Sequence, residues 1–464
     1  MPATSPVGKY SMGSGEVAEI TDSDDAIVFH LNAAVGLFNH HDGVAGTAKQ
    51  HVTYDYVQRI DKAMSTGESR AAEIVRKMAV GTGSFIPQLS VCRQANESLC
   101  EVTQSLKAVG DTGVVVVYNA LGRSLTQHMT VLLSKEAVSI GVSVAAISGA
   151  GKSNPVYAEI VPNPPSDNDL AAPFTLHFTA ENVPALATTV FEVRVQPHPL
   201  SSLSAKLLKP EMWARNDVLS ISNEEVTIDF DRVSGVMKSA RRKSNNEEIS
   251  IDLSNDMGYY TSFGSPGQPG CKHPRKDTRD HVSKHLNPAH HRGEVSVQNS
   301  GAYVFRPMEA NQSAIPIRCT NKERLETLQS VTVFHGREVS EVRQIFSSWA
   351  STTISLFRNN PGINLEYSVG PIPIDDDVGK EVIYKLRSSI DSDAEFYTDS
   401  NGREFMQRVR NEQDYDSNVY EPVAGNYYPI STAAYILDKN TGVQLSVITD
   451  RSLGGTSLES GYLL

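Results

Sequence analysis

Asn39-His40-His41-Asp42-Gly43-Val44-Ala45-Gly46-Thr47 stands between two segments of helical periodicity, and its reading decides how the first part of the chain folds. Upstream, Val28, Leu31, Val35 and Phe38 form one apolar stripe of the kind an amphipathic helix carries. That segment starts in Asp22-Ser23-Asp24-Asp25, where carboxylates favour the positive N-terminal end of a helix. Gly43 and Gly46 predict that it ends near His40 or His41. Downstream, Thr47-Ala48-Lys49-Gln50 has the form of a capping box. Val52, Tyr56, Ile60 and Met64 then give a second stripe, Ser65-Thr66-Gly67 predicts a break, and Ala71, Ile74, Val75 and Met78 predict a third helix. The expectation is a three-helix bundle over residues 23–85, preceded by a disordered tail over 1–22.

The same stretch concentrates chemistry. Imidazoles and a carboxylate are the groups a zinc ion takes when no thiolate is offered. Three adjacent polar groups at a helix break read as a site, because a buried core would not stack them there. On a helix, the side chains of His40 and His41 would diverge by about 100°, so one at most would point into a given site. A helix C-terminus carries partial negative charge and favours a cation beside it. The competing reading is a C-capping histidine followed by a turn aspartate. His40, His41 and Asp42 are too few to close a zinc shell, so spacing leaves both readings open.

After Gly83 the texture changes. Gly113-Val114-Val115-Val116-Val117-Tyr118 reads as a buried strand, and Met129–Leu133, Val138–Ile147, Phe174–Thr179 and Thr188–Val195 continue as short β-type runs. Residues 103–205 are expected to form a β-sandwich. A larger β-sandwich domain is expected over 206–464. Its candidate strands are Val218–Ile221, Glu225–Phe230, Val331–His335, Val339–Phe346, Thr352–Phe357, Asn364–Val369, Val382–Leu386 and Gly442–Thr449. Its end at Tyr462-Leu463-Leu464 reads as an interrupted domain. Residues 264–295 read as a mobile basic insert, in which His273, His281, His285, His290 and His291 have no compact ligand spacing. The expected fold class is multidomain and mainly β, with antiparallel sandwiches following a helical bundle.

Bulk composition agrees with a globular protein. The chain has 464 residues, too many for one ordinary core, with 39% hydrophobic and 21% charged residues. A formal net charge of −12 argues against nucleic acid as a partner. No apolar run reaches the roughly 18–20 residues of a membrane span, and residues 1–25 contain no apolar core of a signal peptide. Of the four cysteines, Cys92 and Cys100 have a spacing that a short-loop disulfide could close. Four allow three pairings, and reduced buried thiols are the other reading. Two Asn-x-Ser sequons occur, at Asn96 and Asn311. The motifs GxSxG, HExxH, Walker A and GxGxxG after a strand do not occur. Asp375-Asp376-Asp377 reads as a solvated turn, and Tyr303 before Val304-Phe305 could bond a ligand or simply pack.

Several segments, in order along the chain, resemble the retaining α-mannosidases of glycoside hydrolase family 38, lysosomal branch. They are Asn39–Val52, Ser300–Pro307, Ser368–Pro373, Gly379–Val382, Phe396–Glu404, Glu421–Pro429 and Thr449–Ser452. The resemblance covers residues 24–464, and the insert at 264–295 and the N-terminal tail depart from it. It implies a zinc-dependent hydrolase of terminal α-mannosyl residues on N-glycan-type oligosaccharides, in a lysosome, vacuole or secretory route. It implies that His41 is a zinc ligand, that Asp42 contacts substrate hydroxyls and that Tyr303 reaches the sugar. It places the nucleophilic Asp and the remaining zinc ligands in an α/β barrel upstream of these segments, so no catalytic residue is expected in this chain. The alternative is a catalytically inactive glycan-binding or structural β-sandwich protein. Oligomeric state is not legible.

Overall fold

The computed structural model describes residues 23–80, 86–93, 98–148, 152–164, 171–197, 204–214, 216–244, 247–265, 299–301, 303, 305–309, 311–318, 328–412 and 422–464. The expected tail over 1–22, most of the insert, Cys271, Cys319 and Asn96 lie outside them. Two helices come first: α1 (Asp24–Phe38) and α2 (Gln50–Val80). Ser23 caps α1 by accepting the Ala26 N–H at 3.3 Å, with Asp24 and Asp25 in the first turn. Arg70 of α2 reaches back to Asp24, tying the two helices together.

The expected break at Ser65-Thr66-Gly67 does not occur, and among the described residues the bundle has two helices where three were expected. α2 runs unbroken for 31 residues. The hydroxyls of Ser65, Thr66 and Ser69 donate to the carbonyls four residues back, so they bond within the helix and do not compete with it. Gly67 serves close approach instead. A Cβ there would lie 2.9 Å from Leu31 Cδ1 of α1. The capping box is not formed either, because α2 starts at Gln50 and Thr47 is used elsewhere.

Two four-stranded sheets follow and enclose a common core. One has the order Thr112–Asn119, Ala187–Val195, Val142–Ser148, Lys152–Val156, and the other Leu125–Leu133, Phe174–Val183, Ala158–Pro162, Lys206–Leu207. Val117, Val144, Phe191 and Val193 of the first meet Leu133, Ile160, Leu176 and Phe178 of the second. The Phe178 and Phe191 rings pack at 5.1 Å. The run Val138–Ile147, expected as one strand, is split. Ser134 caps a short helix, Lys135–Ile140, and Gly141 at φ 125° turns the chain into Val142–Ser148. The end of α2 lies against the outside of the first sheet through Ala79, Ile86 and Val190.

The remaining chain builds a larger assembly of antiparallel sheets. A seven-stranded sheet runs Leu219–Ser222, Val226–Phe230, Met237–Ser244, Glu247–Thr261, Lys380–Ser388, Tyr462–Leu463, with Ile315–Pro316 added on Glu247–Thr261. It faces a five-stranded sheet of Asn364–Val369, Ala350–Phe357, Val339–Ser347, Ser330–Phe334 and Glu211–Met212. Phe396 and Ile436 join this core from a third sheet, Glu404–Val409, Glu395–Ser400, Ala433–Leu437, Gln444–Ile448. The molecule is mainly β and multidomain, as the alternation of its sequence predicts. No helix among the described residues is long and apolar enough to cross a membrane.

Candidate metal and sugar site

The His-His-Asp turn is built by the end of α1. Phe38 is its last residue, and Asn39 N–H and His40 N–H still donate to Val35 and Leu37 carbonyls. The chain then folds on itself. Val44 N–H bonds the His40 carbonyl at 3.0 Å, and the Asp42 carbonyl accepts from both Thr47 and Ala48 N–H at 3.0 Å. Gly43 sits where the turn is tightest. A Cβ there would fall 2.6 Å from the Phe38 carbonyl oxygen and 3.2 Å from Tyr56 Cε2 of α2. Gly46 takes φ 72°, a left-handed conformation that glycine adopts without strain.

This backbone gathers three donor groups. One ligand atom each from His40, His41 and Asp42 lies within 4.8 Å of the others. His41 Nε2 is 3.6 Å from Asp42 Oδ2, close to the ~3.3 Å between two ligands of one tetrahedral zinc. The expected divergence of the two imidazoles does not hold, because the helix ends before them. Their rings lie side by side with centroids 4.2 Å apart. His40 Nδ1 accepts the Asp42 N–H at 3.2 Å, so only its Nε2 could serve a metal. Thr47 Oγ1 donates to Asp42 Oδ1 at 2.8 Å, which fixes the carboxylate and leaves Oδ2 toward His41. Thr47 is the residue that sequence reasoning placed wrongly. Its hydroxyl suits a helix cap by type and position, and only the turn shows that it serves Asp42.

The donor set fits zinc by type, nitrogen and oxygen, and by mutual distance. It does not complete a shell. His41 is 85% exposed and Asp42 34%, so the cluster presents an open edge to solvent. Tyr303 is exposed, and it is not a member of this cluster. The segment around it is docked on the larger β assembly: Ser300 N–H bonds the Phe263 carbonyl at 3.1 Å, and Met308 N–H bonds the Thr261 carbonyl at 2.7 Å. Cys92 and Cys100 form a disulfide, Cα to Cα 5.4 Å, beside α2. Within that loop Arg93 reaches Asp61, Glu68 and Ser65 of α2. The Asp375-Asp376-Asp377 turn is held by Lys380, whose Nζ donates to Asp376 and the Pro373 carbonyl. That is a structural role.

Comparison with known proteins identifies the family. Residues 221–463 match the glycosyl hydrolases family 38 C-terminal domain. The chain is 32% identical over 459 residues to lysosomal alpha-mannosidase of Bos taurus, covering 98% of this chain and 37% of that protein. It is 31% identical to the Homo sapiens lysosomal alpha-mannosidase, over 98% of this chain and 38% of that protein. It is 30% identical to an alpha-mannosidase of Canavalia ensiformis, over 93% and 41%. The chain thus spans about two fifths of the length of these curated relatives. With a family match across more than half its residues, the chain belongs to glycosyl hydrolase family 38.

Proposed function

We propose that the chain supplies one wall of a zinc-dependent, retaining α-mannosidase site that acts on terminal α-mannosyl residues of N-glycan-type oligosaccharides. The observation that carries this is the turn itself: His41 and Asp42 stand 3.6 Å apart on an exposed edge, with Asp42 oriented by Thr47. His41 would hold the metal through Nε2. Asp42, with one oxygen fixed by Thr47, would accept hydrogen bonds from sugar hydroxyls beside it. When bound, zinc supplies a Lewis-acid grip on adjacent hydroxyls and orients the ring. Tyr303, exposed on its docked loop, would close on the sugar from the β assembly.

A retaining glycosidase needs two carboxyl groups about 5–5.5 Å apart. The turn offers one, Asp42. The nucleophile, the acid and the other zinc ligands would come from the rest of the family's sequence, of which this chain spans 37–41% in the relatives above. The lysosomal relatives support a lysosomal or vacuolar destination. A second reading rests on that single carboxylate: a catalytically silent chain that keeps glycan contacts.

In the complete enzyme, His41→Ala is expected to lose bound zinc and to slow release of an aryl α-mannoside. The loss should exceed the roughly 10–100-fold that removal of an outer-shell partner costs. Unchanged zinc stoichiometry would refute the ligand assignment. The 464-residue chain alone is expected to show no turnover, and turnover with one tightly held zinc would mean that the missing groups are present.

A further inference from the structure

We propose that Asn311 is a site of N-linked glycosylation. The sequon Asn311-Gln312-Ser313 has no proline at its centre, which leaves the backbone free to bring amide and hydroxyl together. The structure sorts its three side chains by side. Asn311 and Ser313 are exposed, whereas Gln312 is 8% exposed. Gln312 turns inward and bonds the buried Thr261 hydroxyl at 2.9 Å. Asn311 and Ser313 thus both lie at the surface on either side of a buried Gln312.

The flanks hold this arrangement in place. Gln312 N–H bonds the Glu309 carbonyl at 2.9 Å, making Asn311 part of a turn. Before it, Met308 N–H bonds the Thr261 carbonyl, and after it Ile315 pairs with Tyr259 in the seven-stranded sheet. Oligosaccharide is transferred before the chain folds, so the folded state must leave room for the product. At Asn311 it does, because the side chain points to solvent from a loop whose core contacts belong to its neighbours.

The compartment is indicated separately. The Cys92–Cys100 disulfide forms and persists in an oxidising route, the one in which N-glycosylation takes place. There the Asn311 Nδ2 would attack the anomeric carbon of a lipid-pyrophosphate-linked oligosaccharide. A C–N bond forms, the glycosyl C–O bond to phosphate breaks, the lipid pyrophosphate leaves, and the amide gives up one proton to a base of the transferase.

The test uses the full 464-residue chain with Asn96→Gln, directed into the endoplasmic reticulum of eukaryotic cells by a leader. Digestion with peptide-N-glycosidase in heavy-oxygen water is expected to convert Asn311 to labelled Asp and to raise electrophoretic mobility by one step. Asn311→Gln and Ser313→Ala should lose that step, and Ser313→Thr, which preserves the sequon, should keep it. Unlabelled Asn311 in the peptide map, or mobility that the digestion leaves unchanged, would overturn the proposal.

Discussion

Gly43 is the residue on which the His40–Asp42 turn closes. The Phe38 carbonyl and the Tyr56 ring leave no room for a Cβ, and neither atom is the end of a flexible chain free to move aside. Gly43→Ala is therefore expected to destabilise the helical hairpin by about 1–3 kcal/mol, the usual cost of overpacking. Urea unfolding would show it, and an unchanged midpoint would mean that the turn can open without cost. At this scale the sequence was informative about type and poor about geometry. It marked His41 and Asp42 as chemistry because of what they are. It assigned Thr47 to a helix cap, because a hydroxyl three residues before a glutamine suits that role. The same hydroxyl bonds Asp42 in the folded turn, and a contact five residues apart across two glycines has no periodicity to betray it.

Among the elements, α2 and its disulfide loop act as a unit. Arg93 in the loop makes ion pairs with Asp61 and Glu68, two turns of the same helix. The Cys92–Cys100 closure restricts the loop that carries Arg93. Cys92→Ala with Cys100→Ala is expected to cost about 2–3 kcal/mol, the chain-entropy value for so short a loop. Equal stability of the pair of variants and the parent under oxidising conditions would show that the loop is held by Arg93 alone. Strands were legible where one buried face imposes alternation, as in Val226–Phe230, whereas Met237–Ser244, Glu247–Thr261 and Glu395–Ser400 were not expected as strands. The misread elements were those whose local signals serve tertiary contacts. Ser65, Thr66 and Gly67 look like a break by composition, yet the hydroxyls bond their own helix and the glycine admits Leu31.

At the scale of the whole molecule, the two β assemblies are locked by a buried carboxylate. Glu159 accepts the N–H groups of Arg337 and Glu338 at 2.9 and 2.8 Å, with Val339 at 3.4 Å, and the Tyr157 hydroxyl at 2.9 Å. Gly336 lets the loop wrap it, for a Cβ there would lie 2.2 Å from Glu159 Oε2. Glu159→Ala would strand the donors of the buried Glu338 and Val339 without their acceptor, at a cost on the order of 3–5 kcal/mol. Protease cleavage between the two assemblies should rise with it, and a variant as resistant as the parent would show the seam to be held by apolar packing.

Beside this lock, His128 Nε2 and His177 Nδ1 lie 3.0 Å apart, and His128 stacks on Phe357 at 3.9 Å. Burial pushes His128 down to about 4 and His177 to about 3, from the usual 6.5, with the neighbouring His128 and then Arg343 adding to the effect on His177. Between pH 6.5 and these values the unfolded chain binds protons that the folded chain refuses, so stability is full above 6.5 and falls as pH drops through 4 toward 3. His128 alone accounts for on the order of 3 kcal/mol of that fall. Burial holds the carboxyls of Glu338 and Glu341 above their usual range, which acts in the opposite sense. Comparison with a His128→Asn/His177→Asn pair isolates the histidines. The variant should lose the histidines' part of the pH dependence in this window, and a slope equal to the parent's would show that the pair does not contribute.

The sequence by itself determined the β character of the chain, the helical start, the turn that carries His41 and Asp42, and the family. Those properties reside in residue type, in periods of two and 3.6, and in the order of short segments. Only the tertiary structure decided that α2 is one helix, that Thr47 orients Asp42, and that Glu159 joins the two assemblies. Each of these depends on where a side chain ends up relative to residues brought close by folding. A carboxylate in Ala158–Pro162 reads as an interruption of an apolar strand until the donors of a loop 178 residues later close around it.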